Sequence, residues 1–291
     1  MTFRSKFFLS ALAAAAALPA MAFAAAPTVR VDHAAARVVV IPENRGDISV
    51  TINQGRAGLH PLEIRHDGGV IVVDGGMEPR ILGMNWGWNG LNCRGSGEHT
   101  RVFIPGKGEV AVNELPVVTI HTPMDAHVGG SGAVFGEVGP TASLDLANSG
   151  CGDWRVADVR GPLGIALSGS GDVHGAAAGE THIRISGSGD VFMGPVNGAL
   201  ETRTSGSGDI RALSVHGPIS TAIAGSGDVL VEGGDASQVG VRIAGSGDFK
   251  FRGVAGSVSA SIAGSGDVDI ARATGPISKH VAGSGDVNIG R

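Results

Sequence analysis

A four-residue turn, Gly-Ser-Gly-Asp, returns through the second half of this chain with its aspartates at Asp172, Asp190, Asp209, Asp228, Asp248, Asp267 and Asp286. The spacings are 18, 19, 19, 20, 19 and 19 residues. A variant, Gly150-Cys151-Gly152-Asp153, lies 19 residues before the first copy, and a fainter trace, Gly130-Ser131-Gly132-Ala133, lies 20 before that. A fixed period of this length means one supersecondary unit per repeat, stacked on its neighbours.

Aligning the copies on Asp exposes apolar columns. The residue after Asp is Val173, Val191, Ile210, Val229, Phe249, Val268 and Val287. Five before it stand Leu167, Ile185, Thr204, Ile223, Ile243, Ile262 and Val281; nine before it stand Leu163, Thr181, Leu200, Ile219, Val239, Val258 and Ile277. Positions nine, seven and five before Asp alternate with small or polar residues, the period-2 mark of a strand with one buried face. Eleven before Asp a Gly recurs, followed by Pro at Pro162, Pro218 and Pro276, which marks a second corner. One such rung has nothing to pack against, whereas stacked rungs bury a continuous aliphatic column and satisfy one another's backbone. The expected fold is therefore all-β: a parallel β-helix of about seven 19-residue rungs, roughly 34 Å long at about 4.8 Å per rung. Right-handed coiling is expected from the crossover preference of β-strands.

Composition agrees with small-residue stacking. There are 49 Gly, no Tyr and three Trp in 291 residues. The N-terminus reads as an export signal: Arg4 and Lys6, an apolar run from Phe7 to about Ala20, and the small-x-small site Ala22-Phe23-Ala24. Cleavage after residue 24 would take the formal net charge of −5 to about −7. That balance argues against nucleic acid and anionic membranes as partners. No later stretch is apolar enough for a membrane anchor. The expected organisation is a signal peptide at 1–24, a β-rich leader and N-terminal cap at 25–125, and the solenoid at 126–291. Leader strands are expected at 37–41, 47–52, 70–73, 101–104 and 117–120. Cys93 and Cys151, the only two cysteines, can pair in an oxidising compartment or stand as separate buried thiols.

The leader, the segment Pro116-Val-Val-Thr-Ile-His-Thr-Pro-Met-Asp-Ala-His-Val-Gly-Gly-Ser-Gly132 and the tandem Gly-Ser-Gly-Asp-Val rungs resemble the GIN domain family, the auto-transporter adhesin head of bacterial exported proteins. The resemblance implies a β-helix at the cell envelope and an adhesive role. It brings no catalytic residues, and nothing here resembles a C-terminal translocator barrel.

Several constellations could carry chemistry. In-register carboxylates about 4.8 Å apart repel by about 0.9 kcal/mol per pair in water, so something must offset the Asp column. One reading is cation binding, with Asp209, Asp228, Asp248 and Asp267 as candidates; the other is that each Asp accepts turn N–H groups and the adjacent Ser. Catalysis by carboxylate pairs needs two unlike environments, which periodicity denies. Arg184, Arg203 and Arg242 share the column six before Asp and could meet acidic groups of a ligand, such as uronic sugars. Trp86 and Trp88, flanked by Asn85 and Asn89, suit sugar stacking or cap filling. The ten His fall into no metal-ligand spacing, no phosphate loop is present, and no cofactor is expected.

The expected function is a non-catalytic envelope protein that presents a repetitive surface to a protein or polysaccharide. The alternatives are a carbohydrate-active β-helix enzyme, and a structural or signalling envelope component. The final rung, with an open column and only Lys279, His280, Gly290 and Arg291 as protection, is expected to dock on a second copy or another envelope protein.

Overall fold

The computed structural model describes residues 29–77, 91–95 and 100–290. The export signal, Trp86 and Trp88 lie outside the described residues. Within them the protein is all-β, with one 3₁₀ turn at Val112–Glu114. No helix among the described residues is long and apolar enough to cross a membrane.

The first strands, in order, are β1 (Val29–Glu43), β2 (Ser49–Asn53), β3 (Glu63–Asp67), β4 (Val70–Asp74), β5 (Asn92–Arg94), β6 (Arg101–Ile104), β7 (Gly108–Ala111), β8 (Val117–Pro123) and β9 (Asp125–Val138). The repeats begin with β10 (Ser143–Asn148), β11 (Trp154–Val156), β12 (Leu163–Leu167) and β13 (Val173–Gly175), and alternate so to the end. β10 and β12 belong to one parallel sheet, face one, which continues through Thr181–Ile185, Leu200–Thr204, Ile219–Ile223, Val239–Ile243, Val258–Ile262 and Ile277–Val281. β11 and β13 begin face two, which continues through Val191, Ile210, Val229, Phe249, Val268 and Val287. A third face is thinner, with Thr141, Val159, Ala178 and Val196 bridged in parallel.

The columns read from the sequence are the core. Leu163, Ile185, Ile223, Val239, Ile243 and Ile262 are buried on face one, and Val173, Val191, Ile210, Phe249 and Val268 on face two. Threonines interrupt the aliphatic columns: Thr202 Oγ1 donates to Thr221 Oγ1 at 3.1 Å, both residues buried, whereas the buried Thr204 hydroxyl has no hydrogen-bond partner among the described residues.

The stack is longer than the sequence indicated, about nine rungs rather than seven. β9 pairs in parallel with β10 on face one and with β11 on face two, so it is itself a rung bent around the corner. β1 pairs with β9 from Val29↔Val128 to Val40↔Val138 and stacks on it the same way. β9 carries only the faint trace at Gly130-Ser131-Gly132-Ala133 and β1 carries none, so neither counts among the seven complete copies. The leader then closes both sheets with reversed strands. β4 lies parallel to β1 on face one and antiparallel to β3; β8 lies parallel to β1 on face two and antiparallel to β2. Trp154 fills the first rungs. It is fully buried, and a Cβ on Gly136 would sit 2.0 Å from its ring.

The other leader strands form a separate sheet, β5-β6-β7. Val102, Ile104 and Val110 pack with Ala35, Ala133 and Phe135 from the outer side of β1 and β9. A disulfide between Cys93 of β5 and Cys151 of the first turn ties this sheet to the solenoid (S–S 2.17 Å, Cα–Cα 5.7 Å).

Candidate functional site

The turns set the geometry on which any site must be built. In each Gly-Ser-Gly-Asp the glycines lie directly over their counterparts one rung earlier. A Cβ on Gly206 would stand 2.0 Å from the Gly187 carbonyl oxygen, and one on Gly208 would stand 2.2 Å from that of Gly189. Stacking, not a left-handed backbone, demands glycine here. The carbonyl of Gly187 instead accepts the N–H groups of Ser207 and Gly208 at 3.1 and 3.3 Å.

The Asp column forms a ladder. Oδ1 of Asp153 accepts the main-chain N–H of Asp172 at 3.0 Å, and the relation repeats at each rung to Oδ1 of Asp267 and the N–H of Asp286 at 2.8 Å. Asp209, Asp228 and Asp248 each take part at 2.8 Å. The partner is the next rung's own N–H group rather than a Ser hydroxyl. Among the described residues no group of three His, Cys, Asp or Glu is arranged to hold a metal ion.

The Arg column has a different setting. Arg184 and Arg203 are neighbours across adjacent strands, whereas Ala222 separates Arg203 from Arg242. Arg184 and Arg203 lie on a groove of about 720 Å³ that crosses face one over several rungs. Arg242 lies apart, on a smaller depression of about 260 Å³ with Ser220, Gln238, Ser259 and Ser261. The groove contains Ala147, Ala166 and Ala222, with a ladder of Ser149, Ser168, Ser186 and Ser205 along one side. Its N-terminal end is built by β1 and β9. Arg30 pairs with the buried Asp32 at 2.6 Å, and Ser131 Oγ donates to Asp32 at 3.3 Å while accepting the His33 N–H at 3.0 Å. His33 has φ of 49°, at the bulge where β1 slips against β9. Asp74, also buried and paired in register with Asp32, meets Arg65. The charged lining is thus three guanidiniums against one carboxylate. Arg203 is paired with Glu201 at 2.5 Å; Arg184 has no ion-pair partner among the described residues.

Sequence reasoning found Arg184 and Arg203 but missed Arg30 and the serines. A signal for the serines was present: four residues before Asp the column reads Ser149, Ser168, Ser186, Ser205, then changes to Ala224, Ala244, Ala263 and Ala282. The groove ends at that change. Arg30 stands in β1, outside the repeat alignment.

The chain is thus a parallel β-solenoid closed by reversed strands, with a groove of basic and hydroxyl groups along one sheet. Residues 163–290 match the model of the family described as "Putative auto-transporter adhesin, head GIN domain", so the resemblance drawn from the repeats holds over that segment. Among solved structures, the chain is similar to a crystal structure titled "Putative lipid binding protein" from Parabacteroides distasonis. The TM-score is 0.51 at 17% identity, over 91% of this chain and 93% of that one. That likeness is one of fold. No curated protein matches the chain.

Proposed function

We propose that the protein is an exported, non-catalytic adhesin-like module that binds an extended acidic polymer, a polysaccharide carrying carboxylates, along the face-one groove. The observation that carries this reading is Arg184, a guanidinium without an ion-pair partner among the described residues, set beside Arg203 in a groove lined along one side by serine hydroxyls. Guanidinium binds carboxylate through paired N–H donors, and a file of serines offers hydroxyl partners at each rung. The overall charge of −5 repels an acidic polymer from the rest of the surface, which confines its contact to the basic groove.

Three features support the non-catalytic reading. The Asp ladder gives successive carboxylates one and the same partner, so none is singled out for acid or base work. The family is described as an adhesin head. The repeats carry the groove without a long inserted loop. The Cys93–Cys151 bond suits an oxidising compartment outside the cytoplasm, in keeping with the export signal read from residues 1–24.

Calorimetry with polygalacturonate and neutral dextran tests the reading. Binding of the acidic polymer alone is expected. Arg184→Gln should weaken it about tenfold, the scale of one charge-assisted hydrogen bond. Equal binding of dextran, or unchanged affinity in Arg184→Gln and Arg203→Gln, would overturn it.

A further inference from the structure

A second cleft, of about 990 Å³, lies on the other side of the solenoid, between face two and the leader sheet that the disulfide holds in place. Leader residues Val112 and Asn113 form one wall. The opposite wall comes from the first rungs, where Glu137, Arg155 and His174 follow one another across β9, β11 and β13. Arg37 of β1 and the first two rungs of the ladder, Asp153 and Asp172, complete the charged lining.

The charges in this cleft are not spent on one another. Glu137 and Arg155 are register neighbours, yet no ion pair joins them. Among the described residues neither Arg37 nor Arg155 makes an ion pair or a side-chain hydrogen bond. Asp153 and Asp172 each use one carboxylate oxygen on the next rung's N–H, which leaves the second oxygen of each. Elsewhere on face two such neighbours do pair: Glu232 bridges Arg211 and Arg252 at 2.5 Å each, and Lys250 reaches Asp269 at 3.3 Å. The site adds a flat surface, because His174 stacks on Phe192 with ring centroids 4.9 Å apart and planes 9° from parallel.

We propose that this cleft is a binding site for a short peptide segment bearing both a carboxylate and an ammonium group. Two guanidiniums face the carboxylate and three carboxylates face the ammonium, so a ligand of both signs completes charges that the protein leaves open. A purely acidic ligand would meet the three carboxylates at close range, and like charges disfavour it. The volume fits a ligand of several residues. The site is separate from the face-one groove and does not depend on the reading given to that groove.

The test uses the purified chain and the pentapeptide Gly-Ala-Lys-Ala-Gly in three forms: free, N-acetylated with Lys replaced by Ala, and C-amidated. Titration calorimetry should show binding of the free form, with each capped form weaker by about tenfold. Arg37→Gln with Arg155→Gln should erase the difference made by amidation. Glu137→Gln with Asp153→Asn should erase the difference made by removing the ammonium groups; Asn retains an oxygen for the ladder. Thermal melting of each variant establishes that it is folded. No peptide binding, equal affinity for all three forms, or displacement of the peptide by maltohexaose would each overturn the assignment. Polygalacturonate binding that is kept in the Arg37→Gln, Arg155→Gln variant while weakened in Arg184→Gln would show the two sites to be independent.

Discussion

The main-chain N–H of Asp228 donates to Oδ1 of Asp209 at 2.8 Å, and this bond explains how a column of like charges can stand on one edge of the stack. Each carboxylate is held by an N–H dipole from the following rung, which offsets repulsion of about 0.9 kcal/mol per neighbouring pair in water. Asp209→Asn preserves an acceptor oxygen and relieves a repulsion, so it should leave stability little changed. Asp209→Ala strands the N–H and should lower it by about 1 kcal/mol in urea denaturation. Because the bond needs no metal, a chelator should leave the melting temperature where it was. A drop of many degrees would restore the cation reading for Asp209, Asp228, Asp248 and Asp267.

Gly208 is fixed by its neighbour below. A methyl group there would meet the Gly189 carbonyl oxygen at 2.2 Å and Ile185 Cγ2 at 3.0 Å. The carbonyl is backbone and cannot swing aside, so Gly208→Ala should destabilise by about 1–3 kcal/mol, the range of overpacked cores. The adjacent exposed Ser207→Ala should be close to neutral. Equal melting of the two variants would mean that the turns do not stack as described.

The face-one column gives a sharper test of register. Ile243 is buried at 2% exposure and pairs with Ile223 and Ile262. Ile243→Asp places an unpaired carboxylate among them, at a cost of several kcal/mol. Local unfolding of the rungs on either side should appear as fast amide exchange. Unchanged exchange and melting would place this side chain outside the core.

The repeat was legible because its constraints are periodic. Gly at two turn positions, Asp beside them and aliphatic residues at fixed offsets are each imposed by the rung below, so one rung predicts the next. Leader strands at 37–41, 47–52, 70–73, 101–104 and 117–120 were found as parts of β1, β2, β4, β6 and β8. β3 was missed because Glu63-Ile-Arg-His-Asp67 is exposed at every residue and lacks an alternating pattern. The rung of β9 showed only as a faint trace, because Gly132 and not the Asp of a complete turn marks its corner, and β1 was read as leader because it carries no turn motif. The groove was half legible. Arg184 and Arg203 stand out in an alignment, but Arg30 reaches them only through the stacking of β1 on β9, a contact across about a hundred residues of sequence. The face-two cleft has no signature at all in the repeat, since one wall belongs to the leader.

The link between β1 and β2 carries the pH response that can be assigned. Arg45 donates to Asp47 at 3.1 and 3.0 Å and to Glu43 at 3.3 Å. The hydrogen bonds from Arg45, and then its charge, hold the Asp47 carboxyl below the usual carboxylate range. A carboxyl with a lowered value in the folded state contributes above its unfolded value, and the contribution fades as pH falls through the folded one. Asp47 is exposed and Arg45 only half-buried, so the effect is local. NMR titration should find Asp47 protonating below the usual carboxylate range, and Arg45→Gln should return it to that range. An Asp47 that titrates normally in the parent chain would remove the interaction.

The last rung differs from the open end expected of it. Position seven before Asp belongs to the core column, where Ile183, Val241 and Ala260 are buried. In the last described rung that place is taken by Lys279, in register with Ala260. Its Nζ donates to the Val287 carbonyl at 2.7 Å, across the end of the stack. A charge set into a core column cannot be covered by an apolar surface without losing its hydration, which is how edge strands discourage pairing. End-to-end docking of two copies remains a proposal, and Lys279 bears directly on it. Lys279→Val would complete the aliphatic column beside Ile277, Val287 and Ile289. Sedimentation should then show self-association in the variant at concentrations where the parent chain is less associated. Added Val287→Lys should reverse the gain. If the parent chain dimerises as strongly as Lys279→Val, the lysine is no barrier and the end is a docking surface in spite of it.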